Sequence, residues 1–449
     1  MLNPLFYWYT LTNQKEDLKM VKKFLSLFLV LLFGLALVGC KDETPEVREL
    51  NLSISGLQQA SERVFFTTFV RLFEAKYDAT VNITYTTQAD LKTKIETEIT
   101  ANNVVSDVVM VDTANMRPYI DGNWMEDITT VVDDLENRTI TDMFDASTSK
   151  DGKTYFVPVS FDIYISIYNV AALPYIPTTV DVTKNDSNVI TKIDAITWEE
   201  FAQWGANIEA ATGEAKLGFP MATAGSQLLY PMGGMALAYG SGSYPKLNDA
   251  GALAAWNRIA AMAAAETILP EAVLSETNQP TSLLQAGHLW LSFGHMGPIG
   301  TTYASAPANY VLGPAPTAQA TGKAGSTAGA WTFGIVKGAQ NREVAEDWIS
   351  FITDPEINYL YCSGLGGVIS PIKEVIDQLG TSNTDKIMAA GLSVLNSGAT
   401  VTGLPTYLYT DWNAVKEVYT SLYRRLLTGV TLTQSEADAF QAQLDALLK

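Results

Sequence analysis

Residues Asp151–Asn169 read DGKTYFVPVSFDIYISIYN. A polar Asp-Gly turn gives way to a β pattern in which Tyr155, Val157, Val159, Phe161, Ile163, Ile165 and Ile167 recur at every second position. Pro158 lies inside this run and has no N–H to give to a ladder, so a strand carrying it is expected to change partners nearby. We read the stretch as a strand that leaves one lobe, crosses a hinge and enters a second lobe, bringing cleft residues with it. The alternative is an ordinary edge strand of one large domain.

Working outward toward the N-terminus, residues 1–19 carry no coherent pattern, but Met20-Val21-Lys22-Lys23 is followed by an apolar run from Phe24 to about Val38. A basic n-region, an apolar h-region and a small residue before the processing point are the parts of a secretory signal, which places the expected start at Met20. The run ends in Leu37-Val38-Gly39-Cys40, a pattern that resembles the bacterial lipobox. Cys40 is therefore the expected lipidation site, residues 1–39 an extra N-terminus plus signal peptide, and residues 40–45 a lipidated tether. A spanning anchor is disfavoured because about 15 apolar residues fall short of the roughly 20 that cross a bilayer.

From Cys40 onward 410 residues remain, more than one core usually organises, so at least two lobes are expected. Without residues 1–39 the chain carries 25 basic against 46 acidic side chains, a formal charge of −21. That excess argues against nucleic acid as a partner, which is bound by clustered Lys and Arg. Cys362 is the one cysteine besides Cys40. With Cys40 acylated no intramolecular disulfide is possible, and stability must come from packed cores.

Upstream of the central stretch, Leu50–Ser55 alternates as a strand, and Ser61 is expected to cap a helix with Val64, Phe65, Phe69, Leu72 and Phe73 on one face. Val81–Tyr85 is a second strand, Leu91, Ile95 and Ile99 mark a second helix, and Val108–Val111 is a third strand. This β-α-β-α-β order implies a parallel sheet covered by helices, whose ligands sit beyond the carboxyl ends of the strands. Those ends are Gln58 and Gln59, Thr87, and Asp112 through Asn115. Downstream, Thr197 and Thr433 each stand three residues before a Glu, the spacing of a capping box. Ala250–Ile268 reads as a helix, His288–Phe293 as a strand ending at Gly294-His295, and the Ala, Gly, Pro and Thr-rich tract 304–329 as a long surface connection. β structure returns at Ala330–Val336, Asn341 is expected to cap a helix, and Gly364–Gly367 reads as a turn because its spacing matches no phosphate loop.

The order of segments resembles the family 1 extracellular solute-binding proteins of bacterial ABC importers, which include the maltose binders. The resemblance rests on Phe69-x-x-x-Phe73-Glu74-x-x-Tyr77, on Asp151-Gly152-Lys153-Thr154-Tyr155-x-Val157-Pro158 with Tyr168-Asn169, on Thr197-Trp198-x-Glu200-Phe201, and on Asn341-x-x-x-Ala345-x-x-Trp348-Ile349-x-Phe351. Where the family has Gly-Pro-Trp or Gly-Ser-Trp, this chain has Gly294-His295-Met296. The resemblance implies an α/β, two-lobe periplasmic-binding-protein-like fold of type II, with parallel-dominated sheets flanked by helices and a hinge crossed three times. Lobe 1 would comprise 46–159 and 330–367, lobe 2 160–329 and 368–449. It also implies a membrane permease as partner, attachment to the membrane through lipid on Cys40, a monomer, and no cofactor.

Ligands of such proteins are most often sugars, which need flat aromatics for their C–H faces and polar groups for their hydroxyls. The expected ligand contacts are Gln58, Gln59, Thr87, Asp112, Thr113 and Asn115 from lobe 1, then Asp162, Tyr164, Tyr230, His295, Trp331 and Trp412. Trp412 stands where the maltose binders carry a stacking aromatic. Trp124, Trp198, Trp256 and Trp348 are expected in cores. Two other ligand classes stay open, a polyamine and a ferric ion. An enzyme is the rival class: H-E-x-x-H and G-x-S-x-G are both absent, which removes metalloprotease and α/β-hydrolase mechanisms, while a glycosidase needs only two facing carboxylates.

Overall fold

The computed structural model describes residues 48–57, 60–222, 227–242, 245–319 and 322–449. Cys40 and its tether, and the expected contacts Gln58 and Gln59, lie outside the described residues. The strands are β1 (Arg48–Ile54), β2 (Ala79–Tyr85), β3 (Val108–Asp112), β4 (Ser149–Lys150), β5 (Lys153–Thr154), β6 (Val157–Asp162), β7 (Tyr164–Asn169), β8 (Asp181–Lys184), β9 (Ile190–Ala195), β10 (Leu291–His295), β11 (Tyr310–Gly313), β12 (Gly325–Ile335) and β13 (Thr400–Gly403).

The first sheet has the order β13-β12-β3-β1-β2, with β6 also paired to β12. β1 is parallel to both β2 and β3, as the β-α-β-α-β order requires, and β12 runs antiparallel to β3 and β6. The helix Ala60–Tyr77 covers it through Phe66, Phe69, Val70 and Phe73, the i, i+3, i+4, i+7 stripe of a 3.6-residue period. That stripe is rotated from the expected one. Val64 is 73% exposed, Ser61 lies within the helix instead of capping it, and Phe65 is only partly buried. The rings of Phe66 and Phe73 meet Trp348 edge-on at 5.8 and 5.1 Å, which joins this helix to the helix Arg342–Ile352.

The central stretch makes two changes of partner. β4 and β5 form a hairpin that turns on Asp151 and Gly152 at φ 55° and 75°, the left-handed pair that a tight two-residue turn requires. In β6, Pro158 stands opposite Thr332 and Ser160 opposite Trp331, so Val159 is the extra residue of a bulge. Its carbonyl, released from the ladder, accepts from Asn358 Nδ2 at 2.8 Å. The proline is thus absorbed in a bulge of the first sheet. The change of sheet comes later, at Ile163, between β6 and β7.

The second sheet, β10-β7-β11, departs from the parallel expectation: β7 is antiparallel to both neighbours. β10 and β11 are linked by the helix Met296–Ser305, a crossover that gives them one direction, and β7 lies between them running the other way. Three passes of the chain lie side by side where the sheets meet. Ala330 pairs with Phe161, and Phe161 exchanges both backbone hydrogen bonds with Ile369 at 2.9 Å.

The tract 304–329 is not a surface connection. It contains β11 and the start of β12, and Tyr310, Val311, Ala315, Ala324, Ser326, Thr327 and Ala328 are buried. Its small residues serve close packing instead. A Cβ on Gly325 would stand 2.1 Å from the Gly234 carbonyl and 2.4 Å from the Ala238 nitrogen of the helix Leu229–Ala238, so only glycine lets strand and helix approach this closely. Both expected capping boxes form, at Thr197–Glu200 and Thr433–Glu436. Asn341 precedes its helix without capping it, because its amide Nδ2 donates to the buried Asp107 carboxylate at 3.0 Å. Gly366 and Gly367 have φ of 90° and 87°, the left-handed geometry of a turn. Trp198, Trp256 and Trp348 are fully buried and Trp124 nearly so.

Candidate functional site

The strand ends and the switch at Ile163 surround a cavity of about 680 Å³. β3 brings Met110 and Asp112, β6 brings Ser160, Phe161 and Asp162, β7 brings Tyr164, β10 brings His295, and β12 brings Thr327 through Trp331. Strands of both sheets therefore contribute to one cavity. It falls beyond the carboxyl end of β3, where ligands of parallel sheets are found.

Asp162 is the last residue of β6, paired with Gly329 of the first sheet, yet its Oδ2 lies 3.3 Å from Nε2 of His295 in the second sheet. The Asp162 Oδ1 and His295 Nδ1 atoms have no partner in the protein. Burial raises the Asp162 carboxyl above the usual carboxylate range, and nearby His295 opposes the rise. Next to them, the Tyr164 ring lies 5.6 Å from His295 edge-on and 6.2 Å from Tyr230. Burial pushes the Tyr164 phenol well above its ordinary value, with Tyr230 and Asp162 adding to the rise.

Opposite stands Asp112, which accepts from Gln88 Nε2 at 3.0 Å and from Asn115 Nδ2 at 2.8 Å. Burial raises its carboxyl, while Asn115, backbone N–H groups and the Lys416 ammonium hold it down. Trp331 pairs with Asp112 on one side and Ser160 on the other, and its ring lies over Gly56, where a Cβ would come within 3.0 Å of the indole. Gly56 thus makes the space that the indole fills. Thr113 is tied to β12, its Oγ1 accepting from the Ala330 nitrogen at 3.1 Å.

Of the expected contacts, the cavity brings together Asp112, Thr113, Asp162, Tyr164, Tyr230, His295 and Trp331. Thr87 stands apart: it caps the helix Gln88–Thr100 by accepting from the Asp90 nitrogen at 3.1 Å. Asn115 is exposed and serves Asp112. Trp412 is also absent from the lining. Its Nε1 donates to the Tyr230 hydroxyl at 3.1 Å, so it is bonded to a lining residue. Burial pushes the Tyr230 phenol up to about 12 against that bond.

Other lining residues were not legible in the sequence. Glu62 lies in the first turn of the helix Ala60–Tyr77, Gln227 just before the helix Leu229–Ala238, and Gln279 in the loop before Thr281. None has a periodic signal that would single it out. Tyr361 belongs to the apolar face of the helix Pro355–Gly364 and reads as core, yet its hydroxyl is buried without a partner. Among the described residues, no three His, Cys, Asp or Glu side chains gather to hold a metal ion.

A family model, described as that of a bacterial extracellular solute-binding protein, matches residues 68–390. The chain belongs to this family. As an extracellular solute-binding protein it also shares its fold with solved structures at low sequence identity. The sugar-binding protein MalE from the phytopathogen Xanthomonas citri superposes with a TM-score of 0.68 at 14% identity, over 89% of this chain and 96% of that one. Maltose-bound MalE3 of T. maritima gives 0.65 at 17%, over 89% and 100%. UgpB from Mycobacterium tuberculosis, in complex with glycerophosphocholine, gives 0.67 at 15%, over 89% and 98%. All are two-lobe binding proteins, and this solute-binding protein has the same α/β architecture. Among curated proteins, nothing matches the chain.

Proposed function

We propose that this solute-binding protein captures a mono- or oligosaccharide in the cavity between its two sheets and hands it, chemically unchanged, to the permease of an ABC importer. The observation that carries the reading is the make-up of the cavity. Trp331, Tyr164 and Tyr230 offer aromatic surface, while Asp112, Asp162, Gln227 and Gln279 offer hydroxyl partners, all within a volume of about 680 Å³. A sugar needs both kinds of contact, and pockets for small ligands span about 300–1,000 Å³. The maltose bound by the T. maritima protein and the sugar-binding description of the Xanthomonas citri protein support the same class.

In this reading each sheet is the core of one lobe, the first passage between them lies at Ile163, and the three adjacent passes near Phe161, Ala330 and Ile369 form the hinge. A ligand that touches both sheets favours the closed arrangement, because only a differential affinity shifts a population. Cys40 would carry the lipid that holds a monomeric protein at the outer face of the cell membrane. Trp412 acts by holding Tyr230 in place, while Thr87 and Asn115 support the strand ends.

A thermal-shift screen of sugars, polyamines and ferric ion tests the proposal. Sugars that raise the melting temperature and are recovered intact support it. Stabilisation by ferric ion alone, or release of hydrolysed sugar, would overturn it.

A further inference from the structure

Three carboxylates line the cavity, Glu62, Asp112 and Asp162, and among the described residues that line it none is Lys or Arg. They are not equivalent. Asp112 has both oxygens satisfied, by Gln88 and Asn115, and feels the Lys416 ammonium. Asp162 has His295 alone, at 3.3 Å through Oδ2, and its Oδ1 has no partner. A carboxylate in such surroundings is costly to keep ionised unless a positive group comes near.

His295 makes the shortfall larger. Its Nε2 lies 3.3 Å from Asp162 Oδ2, and its buried Nδ1 has no partner in the protein. The site therefore holds two buried polar atoms without partners, one of them a carboxylate oxygen. Gly297 lies against the pair: a Cβ there would stand 3.5 Å from both Asp162 Oδ2 and His295 Nδ1. The Tyr164 ring adds a π surface 5.6 Å from the imidazole. A hydroxyl brings one donor to this place. An ammonium brings three donors and the missing charge, and an aromatic face attracts it.

We propose that the Asp162–His295 pair is a subsite that selects solutes bearing a primary amino group, so that the ligand is a hydroxylated molecule carrying an ammonium, with an amino sugar as the simplest case. The inference rests on the sugar reading for the hydroxylated part and on the Asp162–His295 geometry for the amine.

The test is calorimetric titration of the purified full-length chain in detergent at pH 8. The probes are matched: glucose, glucosamine and N-acetylglucosamine, the β-1,4-linked disaccharides of glucose and of glucosamine, and spermidine as an amine without hydroxyls. At pH 8 a part of the glucosamine is unprotonated, so affinities are corrected for the ammonium fraction. The amino members are expected to bind about tenfold or more tighter than their neutral and acetylated partners, as a charge-assisted hydrogen bond would give. Asp162→Asn should abolish that preference, and His295→Gln, which removes the other member of the pair, should reduce it. Melting curves without ligand verify that both variants are folded. Equal binding of amino and neutral members overturns amine selection and leaves the sugar reading standing. Binding of spermidine with none of the sugars supports amine selection and overturns the sugar reading. Failure of every probe, or a preference that survives in Asp162→Asn, overturns the proposed subsite.

Discussion

Replacing Trp331 by alanine should weaken ligand capture more than any change at Trp412. Trp331 lines the cavity, stands between Asp112 and Ser160, and is only partly buried, so part of its indole remains for a ligand to cover. If a sugar covers roughly 60–100 Å² of that ring, burial at about 25 cal/mol per Å² contributes about 1.5–2.5 kcal/mol. That corresponds to roughly a 10- to 70-fold rise in Kd. Trp412 is outside the lining and gives Tyr230 one hydrogen bond. Trp412→Phe keeps a ring and removes that donor, a loss of about 0.5–1.5 kcal/mol that reaches the ligand only through the placement of Tyr230. Calorimetric titration with the best sugar from the thermal screen measures both, and melting curves verify that each variant is folded. An unchanged Kd for Trp331→Ala, or a larger loss for Trp412→Phe, would refute the placement of the aromatic platform.

Four other outcomes follow from the packing and the charges. Gly325→Ala should lower the melting temperature by several degrees, because its Cβ would meet the backbone of Gly234 and Ala238, which cannot yield as a side chain can; calorimetric unfolding measures it. Thr197→Ala removes the capping box of the helix Trp198–Thr212 and should destabilise by about 1 kcal/mol in a denaturant titration. Backbone hydrogen bonding at Thr433, with help from Arg425, lowers the Glu436 carboxyl from 4.5 to about 2. A depressed folded-state value stabilises above the unfolded one, so this contribution should be full above about pH 5 and fade as pH falls through 2; Glu436→Gln should flatten that part of the stability profile. Burial raises the Cys362 thiol well above its ordinary value, with Asp162 adding to the rise, so in a Cys40→Ser background it should resist thiol reagents until the protein unfolds.

The sequence determined the elements and the class of fold, because those depend on local patterns. Alternation in β1, β2 and β3, the Thr197 and Thr433 capping boxes, and the Asp151-Gly152 turn each state their structure within a few residues. Asp162 was legible differently, from the resemblance to the family, as a polar residue just past Pro158. What lay beyond sequence reading depends on partners far along the chain. The tract 304–329 looked like a loop because Gly325 and Ala328 have no bulk, yet lack of bulk is what lets a strand lie against the helix Leu229–Ala238. Pro158 marked a disturbance without saying which kind, and only the pairing with β12 made it a bulge, moving the change of sheet to Ile163. Trp412 and Tyr361 show the same limit in the site itself. One aromatic reads as a contact and bonds Tyr230 from outside the lining; the other reads as core and lines the cavity. A side chain's type sets which contacts it is able to make, and tertiary packing decides which surface it faces.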